Sequence, residues 1–148
     1  MPQNAPPPEP WWSNGLGFAC QRCGSCCTGR PGTVRVTAPE IAALARRLGF
    51  DERELRRRFT RPLADGERGL VDDGRGACIF YSSRAGCLVY EDRPRQCRTW
   101  PFWRAVVATP ERWAEEARSC PGMNHGPRHD APAIAAMIAD DGTSGRVP

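Results

Sequence analysis

Residues 18–32 read Phe-Ala-Cys20-Gln-Arg-Cys23-Gly24-Ser-Cys26-Cys27-Thr-Gly29-Arg-Pro31-Gly32, so half of the chain's eight cysteines fall within eight consecutive positions. Thiolates this close repel one another unless a cation gathers them. The two-residue spacing lets neighbouring sulfurs converge on one ion at about 2.3 Å. Gly24 supplies a residue that takes positive φ where such a loop curls. The remaining chain is expected to deliver further sulfur ligands to this knot.

The lean core points the same way. Leu, Ile, Val and Phe together number 23 of the 148 residues, about 16%, below the roughly 20% under which disorder is suspected. Metal binding is a remedy, because its free energy becomes folding free energy. The length fits one domain. All 21 basic residues are Arg, which removes a Lys Schiff base or a P-loop Lys from consideration.

The formal charge of +4 counts every cysteine as neutral. Eight thiolates around two dications would bring the sum to zero. Arg22, Arg30, Arg93, Arg95 and Arg98 then read as balancing an anionic site, so no nucleic-acid footprint is inferred. The first ten residues, MPQNAPPPEP, have neither a basic nor an apolar signal region. No apolar run approaches the roughly 18 residues of a membrane span. The expectation is a cytoplasmic protein whose thiols serve a metal and not disulfides.

Along the chain, Pro2, Pro6, Pro7, Pro8 and Pro10 forbid regular structure at the start, and Trp11 and Trp12 are expected to pack back over the domain. Thr33-Val34-Arg35-Val36 alternates as a short half-buried strand. Thr37-Ala-Pro39-Glu40 is a capping box opening a helix to Leu48, stopped by Gly49 and burying Ile41, Leu44, Ala45 and Leu48. A second helix starts at Asp51, ends before Pro62 and buries Leu55 and Phe59. Arg53, Arg56, Arg57 and Arg58 form its solvated face.

Residues 64–76 are expected to be a Gly/Asp-rich loop, with Asp72 and Asp73 serving turns. Residues 77–81 and 87–90 read as a hairpin in which Tyr81 faces Cys87 and Cys78 faces Tyr90. That register separates Cys78 from Cys87 by roughly 10 Å along the ladder, beyond the roughly 7 Å between Cα atoms of a disulfide. Glu91 to Arg98 turns the chain at Pro94. Trp100-Pro101-Phe102-Trp103 is assigned to the core. Thr109-Pro110-Glu111 opens a helix ending near Ser119, and Asp130 caps an Ala-rich helix through Ala139.

Cys20, Cys23 and Cys26, with the distant Cys120-Pro121, echo both the bacterial ferredoxin arrangement and paired zinc sites, and spacing does not separate the two. Adjacent side chains diverge, so Cys27 is open to a second site with Cys78, Cys87 and Cys97. His125 and His129 read as exposed loop residues, because Pro127 breaks any ligand-presenting helix. No dinucleotide, Walker A, zincin or nucleophile-elbow motif occurs, so no catalytic residue is assigned and nothing specifies an enzyme.

The pattern Phe18-x-Cys20-x2-Cys23-x2-Cys26-Cys27 resembles the signature of the YkgJ-type cysteine-cluster family, described as a zinc- or iron-chelating domain. The resemblance continues through Val36-Thr-Ala-Pro39-Glu40-Ile41 and Cys78-x-Phe80. It then covers Cys87-x2-Tyr90-Glu91-x-Arg93-Pro94-x2-Cys97-Arg98-x2-Pro101-Phe102, ending at Cys120-Pro121-Gly122. Trp100 stands where Phe is expected. A similar cluster occurs in flagellin lysine methylases, where it resembles an iron–sulfur site.

The resulting expectation is a small, metal-stabilised α+β fold, with short helices and a β-hairpin around a cysteine cluster. Residues 1–17 form a Pro-rich flexible N-terminal tail, 18–123 the metal-binding domain, and 124–148 a C-terminal short helix and tail. Cys20, Cys23, Cys26, Cys27, Cys78, Cys87, Cys97 and Cys120 are the candidate ligands of zinc or iron, with a [4Fe–4S] cluster among the options. The functional readings are a metal chelator, an iron–sulfur redox or sensing protein, and an accessory related to the methylases. The expected partner is a metal ion, and the residues name no protein partner.

Overall fold

A computed structural model describes residues 5–24 and 33–143; the expectations for Cys26 and Cys27 lie outside the described residues. The chain is a small α+β fold of short helices and small antiparallel sheets.

Local signals set the longer helices. Helix α1 (Ala38–Leu48) starts at Thr37, whose side chain accepts from Glu40 N while Glu40 Oε1 accepts from Thr37 N. It stops at Gly49 in the left-handed region, φ 78°, where glycine carries no side-chain penalty. Helix α2 (Glu52–Phe59) is capped by Asp51, α4 (Pro110–Ala117) by Thr109 and α5 (Ala131–Ala139) by Asp130. Each cap residue accepts a backbone N–H that the first turn leaves without a partner. Ile41, Leu44, Ala45 and Leu55 are buried as expected, whereas Leu48 and Phe59 are only half-buried. Arg56 is also half-buried, while Arg53, Arg57 and Arg58 face solvent.

The sheets differ more from expectation. The expected loop 64–76 contains β4 (Arg68–Leu70), which lies between β2 (Arg35–Val36) and β3 (Thr60–Pro62). Three residues are too few to show a period, so the pairing of distant segments determines this strand. Further on, Asp72 and Asp73 serve turns, accepting from Gly74 N and Arg75 N at 2.8 Å.

Strands β5 (Tyr81–Ser82) and β6 (Gly86–Cys87) place Tyr81 opposite Cys87, the expected register. The ladder ends there. Cys78 instead bridges to Asp72, and Tyr90 opens a 3₁₀ turn, Tyr90–Asp92. After Pro94 the expected turn becomes a helix, α3 (Arg95–Thr99), with no side-chain cap to announce it.

The first and last parts of the described chain meet. Strand β1 (Leu16–Phe18) pairs with β7 (Met123–His129), with a register shift between Gly17 and Phe18. The two histidines therefore lie on a strand instead of a loop. His125 is exposed, and His129 is half-buried with Nε2 3.1 Å from the Phe18 carbonyl. Trp11 packs back as expected, its Nε1 donating to Val107 O at 2.7 Å and its ring edge-on to Trp113.

Two hydrophobic clusters result. One gathers Leu16, Trp100, Phe102, Val106, Val107, Trp113, Met123 and Ile134. The other gathers Val36, Ile41, Leu44, Ala45, Leu55, Leu70, Phe80 and Val89. The six described cysteines line a cavity walled by residues of both clusters.

Candidate metal centre

The six described cysteines arrive on five separate pieces of structure. Cys20 and Cys23 follow β1 and are exposed. Cys78 sits at the bridge to Asp72, Cys87 on β6, Cys97 on α3 and Cys120 just beyond α4, all half-buried. All six line a single cavity of about 340 Å³. Among the described residues no disulfide joins any of the six.

The walls come from both clusters. Phe18, Trp100 and Trp103 line the cavity on the side of the first, and Val34, Leu70, Phe80 and Val89 on the side of the second. Arg22, Arg84 and Arg93 also line it, bringing positive charge beside a thiol-rich space. Arg22 N donates to Cys20 Sγ at 3.4 Å.

Glycines permit the closest approach. Ala19 N donates to Gly122 O at 3.2 Å, and a Cβ on Gly122 would collide with the Ala19 carbonyl oxygen. A Cβ on Gly126, at φ +77°, would come within 2.5 Å of Ala19 Cβ. These two positions let the Ala19–Cys20 segment lie against the chain that leaves Cys120. Gly24 does the same at the other end of the cysteine segment, where a Cβ would stand 2.5 Å from the Tyr81 hydroxyl oxygen.

The donor chemistry fits zinc or iron, both of which take thiolate ligands. Among the described residues no three such donors already stand close enough to hold an ion. The six thiols surround a space. At about 340 Å³ it is comparable with a small-molecule pocket, about 300–1,000 Å³, and exceeds what one ion bound at about 2.3 Å requires. No local sequence signal marks the roles of Tyr81, Gly122 and Gly126. Gly122 did fall within the resemblance, as did Tyr90, which also lines the cavity.

A family model described as CxxCxxCC, "Putative zinc- or iron-chelating domain", matches residues 19–121. The chain belongs to this YkgJ-type cysteine-cluster family. Its ends in this chain adjoin the Ala19–Gly122 contact, so the YkgJ-type span closes on itself in space. An uncharacterized protein of Methanocaldococcus jannaschii is 31% identical over 90 residues, 60% of this chain and 47% of the relative. The chain thus matches about half the length of that relative. No solved structure matches the chain. Among the described residues no helix is long and apolar enough to cross a membrane.

Proposed function

We propose that the protein chelates zinc or iron in the chamber between its two hydrophobic clusters, using Cys20, Cys23, Cys26, Cys27, Cys78, Cys87, Cys97 and Cys120. One observation carries this reading: cysteines from positions 20 to 120, on separate elements, line one cavity. Thiols that merely filled cores would be dispersed between the clusters. The metal would tie the two halves together, and its binding free energy would add to folding. A reducing, cytoplasmic setting keeps such thiols available. No described triad is already closed, so convergence on an ion calls on Cys26 and Cys27 or on a tightening of the chamber.

A second reading, an iron–sulfur cluster with a redox or sensing role, is supported by the size and lining of the space. Aromatic and aliphatic walls limit water, and nearby arginines offset the negative charge of a thiolate-bound cluster, both of which tune its potential.

Anaerobic purification followed by metal analysis and a visible spectrum tests both. Colourless protein carrying zinc supports the chelator and ends the cluster reading. Brown protein containing sulfide does the reverse. Protein that takes up neither zinc nor iron, alone or with sulfide, overturns both. Cys97→Ser and Cys120→Ser should each lower the bound metal.

A further inference from the structure

The chain contains two tyrosines, and both sit against the Cys20–Gly24 segment. Gly24 lies so close to the ring of Tyr81 that a Cβ there would stand 2.5 Å from its hydroxyl oxygen and 2.7 Å from the ring edge. Tyr90 carries Arg22 at 3.7 Å from its ring centroid and Arg93 at 3.9 Å. Two planar guanidiniums cannot both lie that near on one face, so the ring is held between them. Arg93 is itself fixed, its Nε donating to Tyr90 O at 2.9 Å. Arg22 reaches 3.9 Å from Glu91 and remains 63% exposed.

These contacts join parts of the cysteine set that the sequence holds far apart. Arg22 lies between Cys20 and Cys23, whereas Tyr90 and Arg93 lie between Cys87 and Cys97. All of them line the chamber. None is a sulfur donor, so their effect on a bound metal is indirect. Arg22 also adopts φ 53°, a backbone region uncommon outside glycine. The stack on Tyr90 helps to offset the cost of that conformation.

We propose that Tyr90, held between Arg22 and Arg93, and Tyr81, packed against Gly24, latch the Cys20–Gly24 segment as one wall of the chamber and so set how fast metal leaves. The inference rests on the metal-binding reading above. Tyr81 and Tyr90 act here as positioning residues. With the latch intact, the wall bearing Cys20 and Cys23 stays against the wall bearing Cys87 and Cys97. With it broken, the donor set is unchanged but the wall swings away more often, exposing the interior to water and competing chelators. A cation–π contact stabilises by an amount that corresponds to about 2- to 30-fold in a rate or equilibrium, which bounds the effect of removing one.

The test compares the full chain with Tyr90→Phe, Tyr90→Leu and Arg22→Ala. Phe keeps a ring for both guanidiniums, whereas Leu removes it. Arg22→Ala removes one guanidinium from an exposed position with little risk to folding. In the zinc-loaded protein, a chromophoric chelator should draw out zinc several-fold faster from Tyr90→Leu and Arg22→Ala, with unchanged zinc content and a near wild-type rate for Tyr90→Phe. In the chain as purified, alkylation of Cys87 and Cys97, mapped by mass spectrometry, should be faster in the same two variants. Wild-type rates in Arg22→Ala in both measurements overturn the latch, as does a Tyr90→Phe variant as fast as Tyr90→Leu. If the wild-type chain takes up no metal, the proposed function falls, while alkylation still decides whether the latch exists.

Discussion

The carboxamide of Gln96 holds the main chain of Arg35: its Oε1 accepts from Arg35 N at 3.0 Å, while its Nε2 donates to Thr33 O at 3.2 Å. Gln96 is buried, and its own carbonyl accepts from Trp103 Nε1 at 2.7 Å. One residue beside Cys97 therefore fastens the start of β2 to the aromatic block of the other cluster. Gln96→Ala would remove both hydrogen bonds to the half-buried Arg35 N–H and Thr33 carbonyl, a loss of about 1–3 kcal/mol at the usual worth of two such bonds. Chemical denaturation of the wild type and the variant measures it, and an unchanged midpoint would show water taking over both bonds.

Gly122 is the second point of sensitivity. A methyl group there collides with the Ala19 carbonyl, and the chain must shift just where Cys20 meets the Cys120 side. Gly122→Ala is expected to destabilise the protein by about 1–3 kcal/mol, the usual cost of overpacking. It should also weaken metal retention in competition with a chelator. Retention equal to wild type would place this contact outside the metal centre's support.

The two histidines should behave differently. The His129 ring lies 5.0 Å from that of Phe102 and 6.5 Å from that of Phe18, and its Nε2 faces the Phe18 carbonyl. His129→Ala is expected to cost about 1–2 kcal/mol in lost packing and hydrogen bonding. His125 is exposed, so His125→Ala should fall within about 0.5 kcal/mol of wild type. Thermal melts of both variants check the contrast, and similar losses would refute it.

A local pH effect is expected at Asp65. The backbone N–H of Glu67, and then the Arg35 guanidinium, favour its ionised form and hold its carboxyl below the usual range. A depressed carboxylate contributes stability above its unfolded pKa and loses it as pH falls through the folded value. Because Asp65 is exposed, that contribution is small, and the clean measurement is the titration itself. In Arg35→Ala the NMR-detected pKa should rise only part of the way back, because the Glu67 N–H remains. Full recovery would make Arg35 the dominant cause.

Removing the metal tests the thermodynamic part of the proposal. Among the described residues each hydrophobic cluster contains eight buried residues, and small cores are marginal on their own. Chelation of the loaded protein is expected to abolish most of its far-UV ellipticity and to lower its melting temperature. Retained ellipticity would mean that the clusters hold without help.

The parts of the fold that the sequence disclosed are those with a local cause. Thr37, Asp51, Thr109 and Asp130 each announce a helix, because an N-cap is satisfied within three residues. Tyr81 opposite Cys87 follows from one short turn. Strand β7 gives no such sign: Met-Asn-His-Gly-Pro-Arg-His has no alternation and contains Pro127, and its pairing with β1 spans more than a hundred residues. Helix α3 has no side-chain cap and so read as a turn. The cysteines were legible as candidate ligands from their number and spacing. Their gathering round one chamber depends on contacts such as Ala19 with Gly122, which no local pattern encodes.

The division of aromatic residues between the clusters has an optical consequence. All five tryptophans (Trp11, Trp12, Trp100, Trp103 and Trp113) belong to or pack against one cluster, whereas the other contains Phe50, Phe59 and Phe80 and no indole. Intrinsic emission therefore reports on one half of the protein, whereas far-UV ellipticity sums the helices of both, α1 and α2 with α4 and α5. Coincident melting curves from the two signals would mark a single cooperative unit. Separated curves would show, without any label, which half lets go first.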